Sequence, residues 1–157
     1  MLEVYALEFR LDKLLVTGLS FTVTKGQIKL IHGPSGCGKS TLLTLISGTH
    51  IAGVTWKGEI RLDGVDIGGL PAHQRAVGLM YQDALLFPHL TVGDNLAFGL
   101  AAEIRGKDRH LAVQNALVSA NLDGFGDRDP ASLSGGQAAR IALMRALLAK
   151  PEALLMD

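Results

Sequence analysis

The chain has 157 residues, of which 48% are hydrophobic, 15 are lysine or arginine and 15 are aspartate or glutamate. This length and apolar content suit one domain with a buried core, and the balanced charge argues against nucleic acid as the main partner, because phosphate-backbone binding calls for a basic excess. No apolar run approaches the about 18 residues of a membrane-spanning helix, the first residues carry no export signal and a single cysteine excludes an internal disulfide, so we expect a cytoplasmic protein.

The apolar pattern changes along the chain from strand-like to helical. Strands are predicted at residues 2–9, 19–23, 28–31, 56–62 and 77–81. From residue 91 the period is helical, which predicts helices around residues 92–100, 111–118 and 141–148 before a last strand at 153–156. The order predicts an α/β fold with a strand-rich lobe over residues 1–82, an inserted helical subdomain over about 83–149 and a closing strand within 150–157.

Residues 33–40, G-P-S-G-C-G-K-S, fit the phosphate-loop pattern G-x-x-x-x-G-K-[ST] between a predicted strand and a helix predicted to start near Lys39. The backbone N–H groups of such a loop face nucleotide phosphates, and the start of the helix adds unpaired N–H groups and partial positive charge. Lys39 can reach the β- and γ-phosphates, and the Ser40 hydroxyl can bind Mg²⁺. An ordinary glycine-rich turn is the alternative. The residues predicted to hold nucleotide are Gly33, Pro34, Ser35, Gly36, Cys37, Gly38, Lys39, Ser40 and Thr41.

A second glycine motif, L-S-G-G-Q at residues 133–137, precedes the last predicted helix. Together the two motifs make the chain, from about residue 2 to 157, resemble an ATP-binding-cassette ATPase, the motor subunit of ABC transporters. The resemblance implies a phosphate-loop NTPase fold in which two chains sandwich two ATP molecules. Its second motif would contact the γ-phosphate held by the opposite subunit through Ser134, Gly135, Gly136 and Gln137. An N-terminal helix cap uses the same N–H groups, so both roles can hold.

Three further positions receive roles from the resemblance. Gln82 follows the predicted strand 77–81 and matches a glutamine that contacts Mg²⁺ or the attacking water. Asp157 follows the apolar run 153–156 and matches an aspartate that holds Mg²⁺ through its water shell. The expected catalytic residues are therefore Lys39, Gln82 and Asp157, and the expected Mg²⁺ ligands are Ser40, Gln82 and Asp157. Phe9 is the candidate for an aromatic residue that stacks on adenine.

Residues 87–92, F-P-H-L-T-V, resemble a stretch that docks a short cytoplasmic helix of the membrane permease in importer ATPases. A loop packed on its own domain is the alternative. We therefore expect an ATP-hydrolysing importer subunit with ATP and Mg²⁺ as cofactors, working as a homodimer or paired ATPase at the cytoplasmic face of the plasma membrane. One rival is a non-transport ABC ATPase that acts as a mechanical switch in DNA repair or translation. The other is a phosphate-loop kinase, which would not explain the L-S-G-G-Q motif.

The family pattern continues after the position of Asp157 with a glutamate that polarises the hydrolytic water and, later, a histidine at the γ-phosphate. None of the five histidines of this chain lies there. We therefore expect this sequence to be a piece of a longer protein. The piece would lack a central strand of the sheet, which in the family lies beside the strand predicted at residues 28–31. By itself the piece is expected to bind nucleotide weakly and not to hydrolyse it.

Overall fold

The computed structural model describes residues 1–11 and 13–157, which form two compact units, residues 1–79 with 157 and residues 80–156. The first unit contains β1 (Leu2–Leu11), β2 (Lys13–Val23), α1 (Lys39–Ser47), β3 (Val54–Leu62), β4 (Val65–Asp66) and a short 3-10 turn (Ala72–Gln74). The strand β5 (Val77–Met80) lies at the boundary in sequence. The second unit contains α2 (Val92–Phe98), α3 (Gly106–Ser119), a 3-10 turn (Pro130–Ser132), α4 (Gly135–Leu148) and β6 (Ala153–Met156).

The first unit is built on an antiparallel sheet with the strand order β2-β1-β3-β4, in which Leu2 of β1 pairs with Val23 of β2 and Leu62 of β3. The core side chains of β1 are Leu2, Val4, Leu7 and Phe9. Alternation along a strand would place residues 4 and 7 on opposite faces. A bulge between Tyr5 and Glu8, where Ala6 has φ 45°, adds one residue and returns Leu7 and Phe9 to the core face.

Helix α1 starts directly after the phosphate loop and ends at a glycine cap. Gly48 has φ 81°, a left-handed conformation that glycine adopts without steric cost, and its N–H bonds back to Leu45 and Thr44. The apolar face of the helix buries Leu42, Leu43, Leu45 and Ile46. The predicted helix start near Lys39 is therefore confirmed.

A buried arginine fastens the C-terminal end of α1. The Arg75 guanidinium donates to the carbonyls of Leu45 (2.9 Å) and Ile46 (3.2 Å) in the last turn of the helix, and to Gly68 and Leu70 (both 2.7 Å) in the loop after β4. A cation at a helix C-terminus interacts favourably with the helix dipole. Burial lowers the pKa of Arg75 below its ordinary value.

The predicted strand at residues 28–31 is wrong. The structure has no strand there, and the side chains of Ile28 and Leu30 are 98% and 85% exposed. A strand needs a neighbour that accepts and donates its backbone hydrogen bonds, and none of the described strands pairs with this segment. The other predicted strands are confirmed, with β1, β2 and β3 longer than expected.

The second unit is a three-helix cluster. Val92 and Leu96 of α2, Val113 and Leu117 of α3 and Ile141 of α4 form its centre. The three predicted helices are thus confirmed, and the spacing of these apolar residues is the helical period that predicted them. Among residues 1–11 and 13–157, no helix has the length and apolar character needed to cross a membrane.

Candidate nucleotide-binding site

The phosphate loop folds around the side chain of its own lysine. Lys39 Nζ donates to the carbonyl oxygens of Gly33 and Pro34, both at 2.9 Å, and lies 3.9 Å from the Cys37 sulfur. Gly36 has φ 77°, with open space where a Cβ would stand, so the backbone conformation itself requires glycine. The ammonium group is therefore held against the concave side of residues 33–39, where a phosphate anion would be attracted.

Two loop glycines also leave room for neighbouring side chains. A Cβ at Gly33 would lie 2.8 Å from the Cys37 sulfur, and a Cβ at Gly38 would lie 3.0 Å from the Phe9 ring. Gly38 also has φ 97°. Inside the loop, the small Cys37 side chain therefore packs against Gly33. On the side of the sheet, the Phe9 ring of β1 packs against Gly38.

The prediction that Phe9 stacks on adenine is wrong. Its side chain is 1% exposed because the β1 bulge turns it into the core, where the ring packs beneath Gly38. A buried ring has no free face for a base. Phe9 instead supports the phosphate loop, and the bulge that reverses its direction has no simple signal in the alternation of apolar residues.

Ser40 and Asp157 meet in the first unit. Ser40 Oγ, at the second residue of α1, donates to Asp157 Oδ1 at 2.9 Å. A hydroxyl and a carboxylate oxygen are the hard donors that Mg²⁺ prefers, and Mg²⁺ usually keeps several waters, so two protein oxygens suffice. The residues therefore fit a magnesium ion. No cluster of three or more His, Cys, Asp or Glu suited to a metal occurs in the part of the chain that the structure describes.

The second glycine motif begins α4 with a complete capping box. Ser134 Oγ accepts from the backbone N–H of Gln137 at 3.3 Å, and Gln137 Oε1 accepts from the backbone N–H of Ser134 at 2.8 Å. A Cβ at Gly135 or Gly136 would meet nothing within 4 Å. The glycines are therefore not required by packing inside the chain, and both are exposed at the start of the helix, where an anion would be attracted.

Gln82 is exposed and lies two residues after the end of β5 at Met80. It belongs to the second unit, as the L-S-G-G-Q motif does, whereas Lys39, Ser40 and Asp157 belong to the first. Sequence reasoning missed Asn95 and Arg145, two polar side chains that organise the segment after Gln82. A signal was available, since Asn95 interrupts an apolar stripe between Val92 and Leu96.

Comparison with known proteins agrees with these features. The family described as ABC transporter matches residues 16–157. YnjD of Escherichia coli (strain K12), an uncharacterized ABC transporter ATP-binding protein, is 49% identical over 143 residues, which cover 91% of this chain and 66% of YnjD. PotA of Mannheimia succiniciproducens, a spermidine/putrescine import ATP-binding protein, is 41% identical over 147 residues, which cover 93% of this chain and 39% of PotA. The chain thus spans less than two thirds of the length of either relative.

Solved structures give the same fold. The ATP-binding cassette MJ0796, solved as a dimer in a post-hydrolysis state with ADP and Pi, superposes with a TM-score of 0.83 at 28% identity, covering 100% of this chain and 73% of that one. CbiO1 from Clostridium perfringens, part of the ABC transporter complex cbiONQ, superposes with a TM-score of 0.82 at 26% identity, covering 99% and 64%. Because the family match extends over residues 16–157, this chain belongs to the ABC transporter family and has the phosphate-loop NTPase fold of its nucleotide-binding domain.

Proposed function

We propose that this chain is the ATP-binding and ATP-hydrolysing part of an ABC transporter that imports a solute through a membrane permease. The proposal rests above all on one contact, the hydrogen bond of 2.9 Å from Ser40 Oγ to Asp157 Oδ1. This contact lies next to the phosphate loop whose carbonyls bind Lys39. A lysine, a hydroxyl and a carboxylate beside open backbone N–H groups are the parts that phosphoryl transfer requires, because its catalysis consists almost entirely of positioning and charge stabilisation.

Each of these groups has a specific role in the proposal. The Lys39 ammonium exchanges its bonds to Gly33 and Pro34 for bonds to the β- and γ-phosphates. Ser40 Oγ and Asp157 hold Mg²⁺, which when bound neutralises charge on the phosphates. Gln82 orients the attacking water. The backbone N–H groups of residues 35–41 surround the triphosphate.

The chain acts in pairs in this proposal. The open first turn of α4, with Ser134 and Gly135 to Gln137, contacts the γ-phosphate held by a second ATPase subunit. The dimeric state of MJ0796 with ADP and Pi supports this arrangement. Binding of ATP between two subunits brings them together, and hydrolysis releases them. A membrane permease that contacts the ATPases would change conformation with each cycle, at the cytoplasmic face of the membrane.

Import is favoured over the other functions of the family by the names of the relatives. PotA proteins are named for spermidine and putrescine import, and several of them are 40–44% identical to this chain. The rival is a non-transport ATPase that acts on DNA or the ribosome. The balanced charge of the chain, with 15 basic and 15 acidic residues, counts against a large nucleic-acid surface.

The test uses the full-length protein, reconstituted in liposomes with its membrane permease. ATP turnover should require Mg²⁺ and rise when permease and solute are both present. Lys39→Ala should abolish turnover and uptake, whereas Lys25→Ala, which removes an exposed cation of the same unit, should leave both intact. Turnover that ignores the permease and rises with ribosomes or damaged DNA would contradict the transport proposal in favour of its rival.

A further inference from the structure

A buried asparagine organises the segment that follows Gln82. Asn95 of α2 is 0% exposed. Its Nδ2 donates to the carbonyls of Phe87 at 3.1 Å and Thr91 at 3.0 Å, and its Oδ1 accepts from the backbone N–H of Phe87 at 2.8 Å. The Asn95 side chain thus satisfies both the N–H and the carbonyl group of Phe87, as a neighbouring strand would. We call residues 84–90 the connector.

Arg145 of α4 holds the first part of the connector. Its Nη2 donates to the carbonyls of Ala84 at 3.2 Å and Leu85 at 3.0 Å, and its Nη1 donates to Asn95 Oδ1 at 3.3 Å. The guanidinium also lies 5.2 Å from the centre of the Phe87 ring. No carboxylate takes part in these contacts. The planar fork of donors, rather than an ion pair, fixes the geometry.

The connector is strained where Arg145 holds it. Leu85 has φ 44°, a left-handed conformation that is sterically unfavourable for a residue with a Cβ. Its side chain is 59% exposed and therefore gains little from burial. The turn at Leu85 is instead stabilised by the Arg145 guanidinium, which donates to the successive carbonyls of Ala84 and Leu85. A strained segment of this kind keeps its shape only while its surroundings hold it.

Arg145 and the L-S-G-G-Q motif are on the same rigid element. Helix α4 runs from Gly135 to Leu148, and Arg145 lies ten residues after its start, roughly 15 Å along the helix axis. Gly99, after α2, packs so closely on the α4 backbone that a Cβ would overlap the Arg145 carbonyl. Through the bonds of Arg145, the carbonyls of Ala84 and Leu85 are thus tied to the helix whose first turn carries the glycine motif.

We propose that Arg145, together with Asn95, is a positioning residue that couples contact of α4 with nucleotide to movement of the connector. This inference rests on the proposed function, in which the start of α4 meets the partner's ATP, and on the expectation that residues 87–92 dock the permease. Arg145 touches no nucleotide in this scheme. It makes the connector move with α4 instead of independently of it.

The experiment compares Arg145→Lys with wild type in the protein at its natural length. Lysine keeps the positive charge but lacks the planar fork, so the two connector carbonyls and Asn95 cannot all be satisfied. Arg128→Lys is the matched control, because Arg128 also places a guanidinium over a phenylalanine, Phe125 at 3.7 Å. The readouts are the melting temperature, the ATP affinity, the hydrogen exchange of residues 84–90 and the permease-stimulated ATP turnover.

Arg145→Lys should raise amide exchange in the connector about tenfold or more and lower permease stimulation about tenfold, while ATP affinity stays within about twofold of wild type. Arg128→Lys should change none of these. Unchanged stimulation with a loosened connector would overturn the inference, and so would unchanged connector exchange. Loss of ATP affinity in parallel with stimulation would also overturn it, because a general structural role would then explain the effect.

A second variant keeps the test decisive if Arg145→Lys does not fold. Leu85→Val places a β-branched side chain at an exposed position with a left-handed φ and leaves Arg145 in place, so it should fold, loosen the connector and reduce stimulation in the same direction. Full stimulation in Leu85→Val with a loosened connector would contradict the inference. Absence of permease stimulation in the wild type would contradict the proposed function instead, and the hydrogen exchange of residues 84–90 would still decide whether Arg145 positions the connector.

Discussion

Ser40 and Asp157 are 117 positions apart in the sequence, and Ser40 Oγ donates a hydrogen bond to Asp157 Oδ1 at 2.9 Å. Ser40 is placed by the start of α1, whereas Asp157 directly follows β6. A pair of oxygen donors at this spacing can share one hydrated Mg²⁺ ion. The contact therefore joins the first turn of the helix after the phosphate loop to a carboxylate that directly follows β6.

Replacing Asp157 by asparagine should separate metal binding from nucleotide binding. The amide still accepts from Ser40 Oγ, so the local structure should persist, but the charge that attracts Mg²⁺ is gone. We expect apparent Mg²⁺ affinity in the presence of ATP to fall about 10–100-fold. Binding of ATP without Mg²⁺ should be unchanged or tighter, because a carboxylate that repels the phosphates has been removed.

Titration calorimetry with and without Mg²⁺ measures both effects of Asp157→Asn. Thr44→Val serves as the control, since Thr44 lies one turn farther along α1 and its hydroxyl bonds only to the Ser40 carbonyl. An Asp157→Asn protein with the Mg²⁺ dependence of wild type would remove Asp157 from the metal site.

Lys39→Ala should weaken ATP binding by about tenfold or more, because hydrogen bonds to a charged group contribute about 1.5–3 kcal/mol each. The fold should survive, since the partners of the ammonium are carbonyls and a sulfur of the phosphate loop itself and no other element of the fold depends on these bonds. Calorimetric titration with Mg²⁺-ATP gives the affinity, and Lys25→Ala controls for a general loss of positive charge. Equal affinity in Lys39→Ala and wild type would show that phosphate does not bind at this lysine.

The Arg75 site predicts a non-additive pair of substitutions. Gly48→Ala should destabilise the chain by about 1 kcal/mol through its positive φ and by a further 1–3 kcal/mol, roughly, because a Cβ would overlap the Arg75 guanidinium. Arg75→Ala alone should cost about 3 kcal/mol through its four lost carbonyl contacts. In the double variant the overlap is gone, so only about 1 kcal/mol should be added to the cost of Arg75→Ala.

Urea unfolding of the four proteins measures the coupling between Gly48 and Arg75. Gly64→Ala is the control for backbone strain alone, because Gly64 has φ 80° and open space around a Cβ. Additive costs in the double variant would mean that Gly48 and Arg75 are not in contact in solution.

Gly136→Ala should separate stability from function. Alanine has a higher helix propensity than glycine by up to about 1 kcal/mol and meets nothing within 4 Å, so the isolated chain should become more stable. ATP turnover of the paired ATPase should nevertheless fall, because a methyl group would stand where the partner's γ-phosphate approaches. Thermal melting and phosphate release are measured on the same preparation, with Gly69→Ala as an open-space control. Full turnover in Gly136→Ala would show that the first turn of α4 does not meet nucleotide.

The sequence predicted those features that depend on local pattern. The glycines of the phosphate loop, the start of α1 and the three helices of the second unit all follow from spacing and turn chemistry. The strand at residues 28–31 failed because pairing depends on a neighbour, which a local pattern does not reveal. Phe9 failed because the bulge at Ala6 changes which face of β1 each later side chain occupies. Arg145 was missed because its acceptors, Ala84 and Leu85, are backbone carbonyls about 60 residues earlier in the chain.

The most direct test of the account is a calorimetric titration of Mg²⁺-ATP into the folded protein, with AMP as the comparison ligand. We expect one site per chain. ATP should bind at least about tenfold more tightly than AMP, because Lys39, the loop N–H groups and the metal would all bind the outer phosphates. At a hundredfold excess of ATP over its Kd, binding should stabilise the fold by about 2.7 kcal/mol. Two results would contradict the conclusion that residues 33–40 and Asp157 form a Mg²⁺-ATP site. One is a protein that unfolds cooperatively yet gives no binding heat, and the other is a protein that binds AMP as tightly as ATP.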